Sequence, residues 1–165
     1  MTETLVDWFT TIFADMLPGE LVVFLLSMMP ILELRGGLIA AAILGVDWAI
    51  AFPICVIGNM LPIPFELLFI RKIFKWMKRF RPFYKMITWI EERAEKKSKE
   101  IETKISIGLF LFVAIPLPGT GAWTGGLVAD VLGVKFKKAI PIILVGVITA
   151  GLIISFISYI LPMWF

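Results

Sequence analysis

From Ile105 to Ala129 the chain carries no charged residue, enough to cross a bilayer as one helix, yet its centre reads PLPGTGAWTGG, Pro116 to Gly126. Two prolines, four glycines and two threonines at that depth break a helix and free backbone N–H and C=O groups away from water. Irregular backbone is tolerated at membrane depth only where protein or a water-filled cavity covers it. This one stretch therefore predicts a turn inside the membrane, covered by other parts of the protein.

The rest of the chain sets the same solvent. Apolar residues make up 59% of the 165 residues and the mean hydropathy is +0.94, above the range of a soluble domain. No stretch outside the apolar runs could build its own core, so residues 1–165 read as a single membrane domain. Glu3, Asp7 and Asp15 precede the first basic residue, Arg35, so the basic flank of a signal peptide is not expected. There is no histidine, and the single cysteine, Cys55, lies in an apolar stretch. Histidine-based catalysis, an internal disulfide and a Cys/His metal cluster are excluded, and we expect no enzyme, metal or cofactor.

Four apolar regions stand out: Leu21–Val46, Trp48–Ile70, Ile105–Gly133 and Ala139–Leu161. An offset of 88 lays the third on the first without a gap, Pro30 on Pro118, Gly37 on Gly125 and Gly45-Val46 on Gly133-Val134. It continues with Pro53-Ile54 on Pro141-Ile142 and Gly58 on Gly146, the weak internal symmetry that transporters show. Basic residues then choose the topology. Twelve of the sixteen lie between Arg71 and Lys104, and three more are Lys135, Lys137 and Lys138. Four plain spans would put these clusters on opposite sides, against the positive-inside rule. If regions one and three are re-entrant hairpins, with arms such as Leu21–Ile31 and Gly36–Val46, both clusters face the cytoplasm. The expected fold is all-α: an inverted repeat of two units, each a re-entrant helical hairpin plus a transmembrane helix. Residues 20–70 form the first unit and 105–161 the second. The basic linker 71–104 is cytoplasmic and both termini lie outside the cell membrane.

Residues 1–18 mix apolar side chains with acids, as an interfacial amphipathic helix does. Ile73–Ile90, broken at Pro82, reads as a basic interfacial helix pair on anionic headgroups, and Glu91–Lys104 as a solvated helix. Membrane spans beside the basic segment make nucleic acid an unexpected partner.

The two tips, PILELRGG and PLPGTGAWTGG, should face each other near the midplane. Freed N–H groups and half-helix N-termini there suit an anion. Gly119 and Gly121 permit close backbone approach, and Thr120 and Thr124 offer hydroxyls, with Trp123 between them. The same glycines, Gly121 to Gly125, also have helix-packing spacing. Glu33 and Arg35 are ionisable residues at membrane depth, functional candidates by their cost. Arg35 suits a phosphate or carboxylate, and Glu33 suits a proton; the alternative is a structural pair holding the hairpin. Asn59 is a further polar candidate for substrate, or a cap for backbone near Pro62 and Pro64. Glu66 and Asp130 complete the set of candidate proton carriers.

PILELRGG, GNMLPIP and IPLPGTGAWTGG together resemble the bacterial and archaeal family labelled small multidrug export proteins, over roughly Glu20 to Leu161. That family is similar in turn to the DedA (VTT-domain) superfamily, whose fold has two inverted hairpin-plus-helix repeats. The resemblance implies a transporter or flippase for an anionic amphipathic substrate, a polyprenyl phosphate or phospholipid, coupled to H+ or Na+. It departs at Ala114–Gly119, uncharged here where DedA proteins carry arginines around a proline. Export of small cations, with Glu33 or Glu66 as the binding charge, and a non-transporting scaffold are the alternatives. Two spans and two hairpins leave little protein to cover the polar tips, so a homodimer is expected.

Overall fold

The first apolar region folds as two short helices instead of one span. In the computed structural model, which describes residues 17–77, 79–80, 84–85, 88, 99–117 and 119–160, α1 (Gly19–Met28) and α2 (Glu33–Ile43) flank a tight turn at residues 29–32. With 10 and 11 residues, each helix is about 15–17 Å long, half of a ~30 Å hydrocarbon core. The third region divides in the same way, into α5 (Lys99–Ala114) and α6 (Ala122–Val131). Between these pairs lie α3 (Trp48–Met60) and α4 (Ile63–Met77), and α7 (Phe136–Ser155) runs on into a π-helical turn, Phe156–Ile160. All regular structure among the described residues is helical. Two stretches are long and apolar enough to cross a membrane, Trp48–Ile70 with 23 residues and Phe136–Ile160 with 25.

The 88-residue offset seen in the sequence reappears turn by turn. Helices α2 and α6 both end in a Schellman turn. Val46 N–H donates to Ala41 O (2.9 Å) in one, and Val134 N–H to Ala129 O (2.8 Å) in the other. Gly45 (φ 69°) and Gly133 (φ 65°) occupy the left-handed position that each turn needs. The close crossings match as well. A methyl on Gly58 would stand 2.8 Å from Phe24 O, and one on Gly146 would stand 2.7 Å from Val113 Cβ and 3.3 Å from Phe110 O. Without a hydrophobic drive between helices in lipid, small residues at such crossings are what let α3 meet α1 and α7 meet α5.

Contacts between the halves are reciprocal. Helix α2 packs on the C-terminal part of α7 and its π turn, while α6 packs on α4, the offset counterpart of that part. Helices α3 and α7, counterparts of each other, also touch. A reciprocal pattern is what a two-fold relation between two similar units produces.

Two boundaries differ from the sequence reading. Helix α4 runs unbroken from the apolar stretch to Met77, so the basic segment begins inside a helix and not after one. Lys99–Lys104 likewise continues into the apolar Ile105–Ala114 as a single helix, with no proline between them to break it. An exposed ion pair, Lys138 Nζ to Glu102 Oε1 at 2.7 Å, ties the starts of α5 and α7. Cys55 is fully buried. Residues 1–16 of the expected N-terminal helix, Pro118, and most of the linker around Pro82 and 86–98 lie outside the described residues.

Candidate functional site

The two tips interlock through three side chains. Glu33 opens α2 at φ 51°, the one non-glycine residue with positive φ among those described, a conformation that costs about 1–2 kcal/mol. This backbone sends its carboxylate across to the start of α6. There Gly121 is the N-cap and offers no side chain, and Glu33 Oε1 accepts from Trp123 N–H at 3.3 Å with Ala122 N–H beside it. A carboxylate from one hairpin thus caps the helix of the other, where the helix dipole favours it. Gly121 (φ 155°) makes the approach possible, since any Cβ there would overlap the Glu33 carboxylate.

Arg35, in the first turn of α2, holds the loop before α6. Its guanidinium donates to Leu117 O, to Thr120 O and to Thr120 Oγ1. Thr120 Oγ1 also accepts from Leu117 N (3.2 Å) and donates to Ile115 O (2.8 Å), closing the loop on itself. Trp123, the offset counterpart of Arg35, returns the gesture: its Nε1–H donates to Met28 O (3.2 Å) at the end of α1. Backbone groups freed by the breaks are thereby satisfied by the opposite repeat, as a buried break requires. Thr124 Oγ1 turns back to Gly121 O at 3.5 Å, and Gly119 (φ 82°) forms the exposed loop corner.

Behind the tips lies a cavity of about 10 Å³, near the minimum that holds one water. Three offset pairs line it, Glu33 with Gly121, Leu34 with Ala122 and Asn59 with Val147, together with Arg35. Its polar groups all come from the first repeat. Asn59 is 2% exposed, and its amide oxygen has no hydrogen-bond partner.

A second feature opens on the other side of α6. An apolar groove of about 660 Å³ runs between α4 and the tips, walled by Met28, Phe65, Phe69 and Trp123, with Glu66 and Lys72 along it. That volume lies in the range of small-molecule sites. Glu66 packs against Gly126, where a methyl would stand 2.9 Å from its Oε2. Both Glu66 carboxylate oxygens are buried without a hydrogen-bond partner. Asp130, buried on α6, and Glu33 lie within its electrostatic reach.

The structure therefore brings Glu33, Arg35, Thr120, Gly121 and Trp123 together at the tips. Asn59 sits behind them and Glu66 with Asp130 on the far side of α6; Gly119 and Thr124 serve the loop and helix themselves. The groove wall is what sequence reasoning missed. Its signal was present in the spacing Phe65, Phe69, Lys72, one face of α4 with Glu66 beside it.

A structure helical throughout its described residues, with two bilayer-length apolar stretches and ionisable groups buried among short broken helices, is that of a membrane protein. The profile of the family described as "Putative small multi-drug export protein" matches residues 33–153, and the chain belongs to that family. The match begins at Glu33, inside the first tip, and covers the second tip, α3, α4 and most of α7. No curated protein and no solved structure matches the chain.

Proposed function

We propose that this protein exports hydrophobic cations, binding them in the groove beside α4 with Glu66 as their counter-charge. One observation carries the reading: a carboxylate with both oxygens buried and unpartnered in the wall of an apolar, aromatic groove. A buried carboxylate without donors is costly until a proton or a cation joins it. A lipophilic cation brings that charge with an apolar body that Met28, Phe65, Phe69 and Trp123 match, and aromatic faces add cation–π attraction. A proton takes its place when the cation leaves, which makes the exchange proton-coupled. The anionic-lipid reading needs Arg35 and Thr120 as ligands. Both spend their polar groups on the loop carbonyls of the second tip, so the cation reading is preferred.

In this reading the two units are inverted, each a re-entrant hairpin and one span, with the linker and Lys135–Lys138 in the cytoplasm. Support comes from helices half a bilayer long, from reciprocal contacts between the halves and from the basic clusters.

The test uses protein reconstituted in phosphatidylethanolamine/phosphatidylglycerol vesicles with tetraphenylphosphonium as probe. Wild type should bind the probe, release about one proton per cation bound, and drive its flux from a pH gradient. Glu66→Gln should weaken binding by about tenfold or more and abolish proton release. Unchanged binding in Glu66→Gln, or movement of a polyprenyl phosphate without any of the cation, would refute it.

A further inference from the structure

We infer that the groove beside α4 is a seat for one acyl chain of an anionic phospholipid of the surrounding leaflet, with the lipid phosphate on Lys72. The chain fills the groove at rest, whatever the groove exports.

The length of the groove fits a leaflet. It follows α4 from Pro62 to Lys72, about 15 Å at the helical rise and half of a ~30 Å hydrocarbon core. One end closes on the tips, at Met28 and Trp123. The other reaches Lys72, just past the apolar stretch that ends at Ile70. One turn further, Trp76 and Phe80 meet edge to face at 4.9 Å, and both are exposed. An exposed tryptophan beside a lysine is what the membrane–water interface selects. Lys72 thus lies at headgroup depth, and the inner end of the groove lies near the bilayer centre.

The groove is open to the bilayer along that length. Phe65 is 70% exposed and Phe69 65%, with Leu61 and Leu68 exposed beside them. These positions form one stripe, which no helix among the described residues covers. Between the two ends the single polar side chain is Glu66, whose oxygens are buried against Gly126. Water would find almost no partner here, and an empty furrow would leave its walls without contacts on one side. A flexible hydrocarbon chain supplies those contacts.

Lys72 selects the lipid. It stands where the phosphate of a chain lying in the groove would come, and its ammonium donates to phosphate oxygens. A zwitterionic lipid already carries a cation beside its phosphate, so an anionic one gains more. A second copy of the protein, related by an axis along the membrane normal, would bring the same lysine to the same depth, like charge facing like. The seated chain lies between Glu66 and the interface, so it keeps headgroup water from running along the groove to that carboxylate. An exported cation and the lipid would then take turns in one groove.

Trp123, at the inner end, makes the seat readable. Protein is reconstituted in phosphatidylcholine vesicles with a rising fraction of phosphatidylglycerol brominated near its methyl ends, or of phosphatidylcholine brominated alike. Bromine in contact quenches tryptophan, and the Trp123 signal is the emission of wild type minus that of Trp123→Phe. Half-maximal quenching should need about fivefold less of the brominated phosphatidylglycerol than of the phosphatidylcholine. Lys72→Gln should abolish this preference by weakening phosphatidylglycerol alone, and Lys72→Arg should keep it. Equal quenching by the two lipids in wild type, or an unchanged preference in Lys72→Gln, would overturn the seat. So would the absence of quenching by either lipid, which would mean that protein covers the groove. Disulfide cross-linking of Phe69→Cys in a Cys55→Ala background would then identify a second copy as the cover. Tetraphenylphosphonium is absent throughout, so failure of the seat and failure of cation export are read separately.

Discussion

Gly121→Ala tests the interlock at its tightest point. The substituted Cβ would overlap the Glu33 carboxylate, and the backbone at φ 155° suits glycine alone. The strained backbone costs about 1–2 kcal/mol, and expelling Glu33 from the α6 N-terminus forfeits a cap of about 1–2 kcal/mol more. We therefore expect Gly121→Ala to destabilise the protein by about 2–4 kcal/mol, and Glu33→Ala by about 1–2 kcal/mol. In the double variant the cap is lost only once. Its destabilisation should stay at about 2–4 kcal/mol, leaving a coupling of about 1–2 kcal/mol. Equilibrium unfolding in mixed micelles, followed by tryptophan fluorescence, reads all three values. Additive effects to within about 0.5 kcal/mol would mean that Glu33 does not sit over Gly121, and the reciprocal capping would fall with it.

Four further outcomes follow from the same contacts. Gly126→Ala presses on the far end of a flexible side chain, so it should shift cation affinity by about threefold or more while changing stability by under about 1 kcal/mol. Trp123→Phe keeps the ring in the groove but loses the bond to Met28 O, and should cost about 0.5–1.5 kcal/mol in the same unfolding assay. Lys138→Gln breaks only an exposed ion pair and should change stability by no more than about 1 kcal/mol. For topology, single cysteines at Lys72 and Lys137 in a Cys55→Ala background should label from the same side of the membrane with an impermeant maleimide; labelling from opposite sides would refute the hairpins.

Much of this fold is written in residues whose role is local. Gly45 and Gly133 announce their turns because no other residue takes that backbone cheaply, and the offset between them exposed the repeat. The meeting of the tips followed from a general need, the satisfaction of broken backbone in lipid. What each side chain does at the meeting was not legible. Glu33 and Arg35 sit two residues apart and suggest a pair, yet they separate, one to the α6 N-terminus and one to the loop carbonyls. Which partner each takes depends on how α2 lies against a loop some 85 residues away, information carried by no local pattern. Glu66 was visible as an acid near the end of a span. Its groove was not, because the wall is assembled from α1, α4 and α6.

The empty side of Gly121 has a consequence for how such a protein could arise. Were the halves separate and identical, as two copies of one small chain, whatever stood at position 33 would stand opposite itself. Two glutamates would compete for the place that one now fills, each overlapping the other. A single acid on the meeting line is available only where the two halves are free to differ, as they are when joined in one chain. Fusion, in that sense, supplies the chemistry: it lets one half surrender a side chain so that the other may use the room.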